Sequence, residues 1–211
     1  MKTKLLMIGG GGHCNSILDS LLEQGIYDTI SILDINENLG KTVRGISIIG
    51  TDDDLMNLYQ QGYKYAFVAI GNLEKIHYRK SIIKKVKQLG YKLPNIIDMS
   101  SQVSKTAMIS DGIFVGKNVI INASTTIGSC SIVNTGCIIE HDCVIGEETH
   151  IAPGSVICGN VNIGDNTYIG ANSTIKQGLK IGKNVIVGMG SVVLHNILEN
   201  SIEYGNPSQR R

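Results

Sequence analysis

The chain has almost no net charge: 19 Lys and Arg against 18 Asp and Glu leave +1 with histidine neutral. That balance argues against a large nucleic-acid-binding face, which needs a basic surface. No apolar run is long enough to span a bilayer. The apolar stretch Leu5-Leu6-Met7-Ile8 is too short for a secretory signal. The five cysteines are an odd number and none are spaced as paired zinc ligands. A reducing, bacterial-type cytoplasm is the expected compartment, with neither membrane nor nucleic acid as partner. A 42% hydrophobic and 18% charged composition is that of a soluble globular chain. Its 211 residues leave room for one or two domains.

What the chain does have is a period. Ile or Val stands at every sixth position from Ile97 through Val103, Ile109 and Val115 to Val187 and Val193, without a slip. A helix would show spacings of three and four, and a strand a short alternation in twos. A fixed period of six over such a length marks hexapeptide β-helix repeats. The residue after the Ile or Val is often Gly, as at Gly128, Gly146 and Gly164. The fourth of the six is often Asn or Gly, which tolerate positive φ at a corner. The fifth is small or apolar, as at Thr125, Ser131, Cys137 and Cys143, so it can share a narrow interior with the branched residue. Each rung then packs on the next.

Residues 1–95 read differently. Strands are expected at Lys4–Ile8, Ile30–Leu33 and Tyr65–Ile70, and helices at Asn15–Gln24, from Asp52 through Gln61, and at Glu74–Leu89. Strand-helix alternation makes a small parallel α/β sheet. Its ligands sit at the carboxyl ends of the strands, where Gly9–His13, Asp34 and Gly71-Asn72 fall. A glycine loop between strand and helix can cradle phosphates with backbone N–H groups; the same glycines would also serve a tight turn. A dinucleotide fingerprint would need a third glycine where Cys14 stands. A nucleoside diphosphate fits better, with Asp34 near the ribose or base, or Asp34 is a solvated turn residue.

Within the repeats, Asn134-Thr135-Gly136-Cys137-Ile138-Ile139-Glu140-His141-Asp142 departs from the local pattern. Glu140 stands where Gly is usual, and His141 follows. Such departures mark function. Acyl transfer to an amine needs a base near neutral pH, a role that suits His141, and an adjacent acid would orient its ring. An exposed corner histidine is the other reading of the same residue.

Glu140-His141-Asp142-Cys143-Val144-Ile145-Gly146, with His150-Ile151-Ala152-Pro153-Gly154, resembles the bacterial left-handed β-helix sugar acetyltransferases. This family contains the sialic-acid O-acetyltransferases and the UDP-4-amino-sugar N-acetyltransferases. The loop and helix from Ile8 to Gln24, the Leu33-Asp34 strand end, the Ala69–Asn72 turn and the Val192–Pro207 tail match as well, so the resemblance covers essentially the whole chain. It implies an α/β N-terminal domain over 1–95 that binds a nucleotide-sugar, and a left-handed parallel β-helix over 96–211, three hexapeptides to a coil. The handedness rests on the resemblance, since ordinary crossovers are right-handed.

The resemblance also implies a homotrimer that moves acetyl from acetyl-CoA to the amine of a nucleotide-linked 4-amino-4,6-dideoxyhexose, in bacterial surface glycan synthesis and without a metal. His141 would be the general base and Asp142 its orienting acid. His150 would contact the thioester, and Gly159, Ala171 and Met189 would line the pantetheine groove. Gly11, Gly12, His13, Asp34 and Gly71 would hold the nucleotide-sugar, with Asn134 near the acceptor. Asp98 stands where the family often has His, and Met189 where Gly is common. His141 and His150 are nine residues apart, half a coil. They are expected on different sides of one chain, about 15 Å apart, and to meet across a trimer interface.

Other functions compete. O-acetylation of a sialic-acid-like sugar would use the same parts. A zinc-dependent carbonic anhydrase on this fold would need three histidines, of which only His141, His150 and His195 lie in or beside the repeats. A non-catalytic nucleotide-sugar-binding scaffold would leave Glu140-His141-Asp142 unexplained.

Overall fold

The computed structural model of the protein describes residues 3–71 and 76–210. They fall into two compact units, Met1–Ile96 and Ile97–Arg211.

The first unit runs β1 (Lys4–Ile8), α1 (Gly12–Gln24), β2 (Thr29–Leu33), β3 (Thr42–Val43), β4 (Ile46–Gly50), a 3₁₀ turn at Asp52–Asp54, α2 (Leu55–Gln60), β5 (Tyr65–Val68) and α3 (Ile76–Gln88). The sheet order is β3-β4-β2-β1-β5. The β1–β2, β1–β5 and β2–β4 pairs are parallel, and β3 runs antiparallel to β4. The helices bury stripes at helical spacing: Cys14, Ile17, Leu18 and Leu21 on α1, and Ile82, Ile83 and Val86 on α3. Gly25 ends α1 in the left-handed conformation, φ 61°. β2 lies on one side of β1 and β5 on the other, so the winding reverses at β1 and opens a crevice at its carboxyl end.

Several local features differ from expectation. α1 begins at Gly12 rather than Asn15, because Gly11 takes the extended capping geometry and two of the loop's glycines join the helix end. The β3–β4 hairpin was not anticipated. Its two-residue turn, Arg44-Gly45, has both φ values positive (50° and 79°), the twist that such a hairpin needs. The Asp52 helix starts as a 3₁₀ turn, with Thr51 and Asp54 forming a capping box that satisfies its first amides. Asn72 and the expected start of the third helix at Glu74 lie outside the described residues.

The second unit is a parallel β-helix wound on three sheets. Within the repeats strand partners lie eighteen positions apart, as in Val133↔Ile151, Ile121↔Ile139 and Ile127↔Ile145. The first face carries Phe114–Val115, Ile132–Val133, His150–Ile151 and Tyr168–Ile169; the second Ile120–Ile121, Ile138–Ile139 and Val156–Ile157; the third Thr126–Ile127, Val144–Ile145 and Asn162–Ile163. The period-six residues form the core: Val133, Ile139, Ile151, Ile157, Ile169 and Ile175 are all 0% exposed.

The small fifth residues share that core, and many carry hydroxyls. Most of these satisfy the buried hydroxyl by donating to a carbonyl fifteen residues on, as Thr125 to Glu140 (2.7 Å), Ser155 to Gly170 (2.9 Å) and Thr167 to Gly182 (2.8 Å); Ser191 instead donates to Gly188 (2.7 Å). Cys137 and Cys143 donate their thiols in the same way, to the carbonyls of Ala152 and Cys158. Burial pushes the Cys137 thiol up to about 11 and raises that of Cys143, so both are neutral core groups.

Glycine serves two needs in the coil. The fourth residues, such as Asn118, Gly136, Gly154 and Asn160, have positive φ. The residue after Ile or Val faces a different constraint. A Cβ on Gly128, Gly146 or Gly164 would come 2.5–2.7 Å from a backbone amide of the next coil.

Truncating one ladder residue tests how tightly this interior is packed. Ile157→Ala is expected to destabilise the second unit by about 2–5 kcal/mol, read as a lower urea midpoint. A shift equivalent to less than about 1 kcal/mol would mean that the coil collapses onto the gap. Among the described residues, no helix is long and apolar enough to cross a membrane.

Candidate functional site

At the reversal point of the first unit's sheet lies a cleft of about 360 Å³. Gly9–His13, Asp34, Asp52, Gly71 and Tyr78 are among the residues that line it. The five residues expected to hold a nucleotide, Gly11, Gly12, His13, Asp34 and Gly71, therefore share one wall system. The ends of four strands converge here: the Gly9 N–H donates to Leu33 O, the Asp34 N–H to Gly50 O and the Ala69 N–H to Ile8 O. Gly9 has φ 99°, and a Cβ there would meet the Ile70 side chain at 2.9 Å. Gly10 is bare for another reason: its Cβ would lie 2.8 Å from Asp34 Oδ2. Helix α1 opens at this cleft with no side-chain cap and no acid in its first turn. Its first amides and positive end are thus available to an anion.

Asp34 is held from outside the motif. Asn38, in the 3₁₀ turn that follows β2, donates Nδ2–H to Asp34 Oδ2 at 2.9 Å. Tyr78 on α3 also lines the cleft and hydrogen-bonds Asp52; burial first, then Asp52's charge, raises its phenol. Sequence reasoning passed over Asn38, Asp52 and Tyr78, since none sits in a motif and only the packing of α3 brings Tyr78 to this edge.

His13 occupies the first turn of α1 with its ring against Gly71, where a Cβ would fall 2.9 Å from Cδ2. Burial, and secondly the Arg79 guanidinium, hold its pKa down to about 4. It is therefore a neutral imidazole near pH 7. In the unfolded chain His13 takes a proton near pH 6.5, but in the fold only near 4. As pH falls through that window the unfolded state binds the extra proton, so stability is lost. The loss attributable to His13 is expected to reach roughly 3 kcal/mol by pH 4. His13→Gln should flatten the urea midpoint against pH by that amount; parallel curves for the two proteins would exclude the effect.

The second unit gathers its expected residues into separate groups. At the corner leaving the second face, His141 Nδ1 lies 2.8 Å from Asp142 Oδ2. A carboxylate only accepts, so Nδ1 carries the proton and Nε2 is the basic nitrogen. Asp142 has φ 60°, the fourth-position conformation of the repeat. Gly159 lies one coil along, with the His141 ring over it. Glu140 is not the exception that it looked. The residues stacked on its corner are Asn122, Cys158 and Lys176, none of them glycine. The close approach that demands glycine is met at Gly128, Gly146 and Gly164, which leave the third face, and His141 is the informative departure.

His150 stands elsewhere, at the start of a first-face strand. Asn134 Nδ2 is 3.3 Å from its Nε2, and Tyr168 meets its ring edge-on at 5.1 Å. The Thr135 N–H donates to Asn134 Oδ1, which turns the amide nitrogen toward His150. His150 Nε2 therefore accepts and its proton sits on Nδ1. Ala171 and Met189 stack on a third group, at the corner leaving the first face, with Met189 80% exposed. His195 lies apart, 3.2 Å from the buried Glu203 carboxylate. Among the described residues, no three His, Cys, Asp or Glu side chains form a group that could hold a metal ion.

Comparison with known proteins matches this architecture in both units. Residues 4–86 match the PglD N-terminal domain. Residues 124–177 match bacterial transferase hexapeptide repeats, and 160–195 the hexapeptide repeat of succinyl-transferase. A histidine-to-asparagine variant of perosamine N-acetyltransferase from Caulobacter crescentus, in complex with CoA and GDP-perosamine, is 31% identical over 99% of this chain and 96% of that chain, with TM-score 0.92. The acetyltransferase domain of PglB from Neisseria gonorrhoeae, in complex with acetyl coenzyme A, is 31% identical over 100% of both chains, also with TM-score 0.92. WeeI from Acinetobacter baumannii, at 22% identity and TM-score 0.88, shares the fold. With relatives this similar over nearly their whole length, the chain belongs to the left-handed β-helix sugar acetyltransferases, enzymes that join a PglD-type α/β domain to a hexapeptide coil.

Proposed function

We propose that this protein transfers acetyl from acetyl-CoA to the amine of a nucleotide-linked 4-amino-4,6-dideoxy sugar, as a cytoplasmic homotrimer serving bacterial surface glycan synthesis. The observation that carries the reading is the His141–Asp142 pair. Its 2.8 Å contact fixes the proton on Nδ1 and leaves Nε2 as a base at an exposed corner. Support for the acceptor comes from the cleft of the first unit: a glycine loop and an uncapped helix end suit a diphosphate, and Asp34 suits the hydroxyls or base of a nucleoside. The relatives bound to CoA, acetyl-CoA and GDP-perosamine point to the same pair of substrates.

The chemistry is a direct transfer. The sugar amine attacks the thioester carbonyl while His141 Nε2 takes its proton. The tetrahedral adduct collapses, the C–S bond breaks, and the thiolate leaves with a proton returned from His141. No covalent enzyme intermediate is involved. His150, Ala171 and Met189 hold the CoA arm, and Asn134 lies near the acceptor. The test is thiol release from acetyl-CoA against a panel of UDP-, dTDP- and GDP-linked 4-amino and 4-hydroxy sugars. Turnover with a 4-amino member is the expected result. Turnover only with hydroxyl acceptors, or thiol release that never exceeds the buffer rate, would sink the reading.

A further inference from the structure

Gly159 is buried directly beneath the His141 ring. A Cβ built on it would lie 2.7 Å from both Cε1 and Nε2 of His141 and 3.3 Å from Cδ2. Those three ring atoms are the nearest things it would meet, and no backbone is among them. The coil itself does not call for glycine here. Counting two residues past the period-six position, the other corners carry Lys117, Thr135, Glu147, Pro153, Asp165 and Lys183. On His141's own corner the neighbours are Lys105, Ala123 and Gln177. Nor does Gly159 have the positive φ that would require it.

We infer that Gly159 is a positioning residue for the base: its missing side chain is the seat that lets the His141 imidazole lie against the next coil with Nε2 where the amine proton is taken. The inference rests on the reading of His141 as general base. It differs from a glycine that merely lines the CoA groove, because the atom a methyl group would displace is the basic nitrogen. Asp142 holds the far side of the ring through Nδ1, so the ring is fixed at one edge and pushed at the other. It must swing aside, and displacement of a reacting group by a fraction of an ångström up to 1 Å costs up to about 10²-fold in rate.

Gly159→Ala is therefore expected to lower kcat about ten- to a hundredfold, with the KM for acetyl-CoA changed less than about threefold. The protein should fold, since alanine suits this φ and meets only a movable ring; a thermal melt checks this. The deciding measurement is the double-mutant cycle with His141→Ala. Once the ring is gone, adding Gly159→Ala should leave the residual rate unchanged within about twofold. If alanine costs as much in the His141→Ala background, or acts through a raised KM for acetyl-CoA, Gly159 is a groove residue and the inference is overturned. If His141→Ala is itself near wild type, the base assignment fails first, and the two failures are thereby told apart. Should the His141→Ala rate be too low to read, ¹⁵N-histidine spectra take its place. The His141 signals should move in Gly159→Ala while those of His195 stay put; identical spectra would also overturn the inference.

Discussion

His141→Ala is expected to reduce kcat by on the order of 10²-fold or more, with assembly and acetyl-CoA binding retained. The physical ground is local. Asp142 accepts the Nδ1 proton at 2.8 Å, and the ring is 53% exposed at a corner. Removing the ring also leaves little to collapse: the side chain lies outside the ladder, whose members Ile139 and Ile157 on either side are fully buried. Size-exclusion profiles should therefore match, and only turnover should fall. A variant that turns over near the wild-type rate would mean that the amine loses its proton to water and His141 only shapes the pocket.

Mixing two inactive variants should restore activity. His141 follows a second-face strand and His150 opens a first-face strand, with the third-face strand Val144–Ile145 between them. A whole face of the coil lies between them, so one chain is not expected to bring both rings to one thioester. In the proposed trimer each chain would offer one side to each neighbour, and His141 of one chain would face His150 of the next. Unfolding His141→Ala and His150→Ala separately, mixing them equally and refolding together would give about a quarter of interfaces with both rings intact. Activity should recover to about that fraction of wild type, from near nothing in either variant alone. A mixture no more active than its components would place the whole site within one chain or remove His150 from the chemistry.

Much of this was legible in the chain. A period of six, held from Ile97 to Val193, can only bury its branched residues by winding, so the coil and its core followed from spacing. The cleft of the first unit was legible for a related reason. Gly9–His13, Asp34 and Gly71 each follow a predicted strand, and parallel strands bring their carboxyl ends to one edge. His141 and Asp142 are neighbours in sequence, so their contact needed no fold at all. What the period could not distinguish was one corner from another. It made Glu140 look anomalous among glycines, when only some corners bring the next coil's backbone to within 2.5–2.7 Å of a Cβ. Asn38 and Tyr78 reached the cleft by packing of a 3₁₀ turn and a helix face, and no local pattern records that. The short β3–β4 hairpin was set by two positive-φ residues rather than by alternation. Gly159 is the clearest case. The resemblance marked it only as a groove residue; the eighteen-residue stacking puts it under the His141 ring, because in a coil the nearest neighbours of a side chain come from the turn above and the turn below.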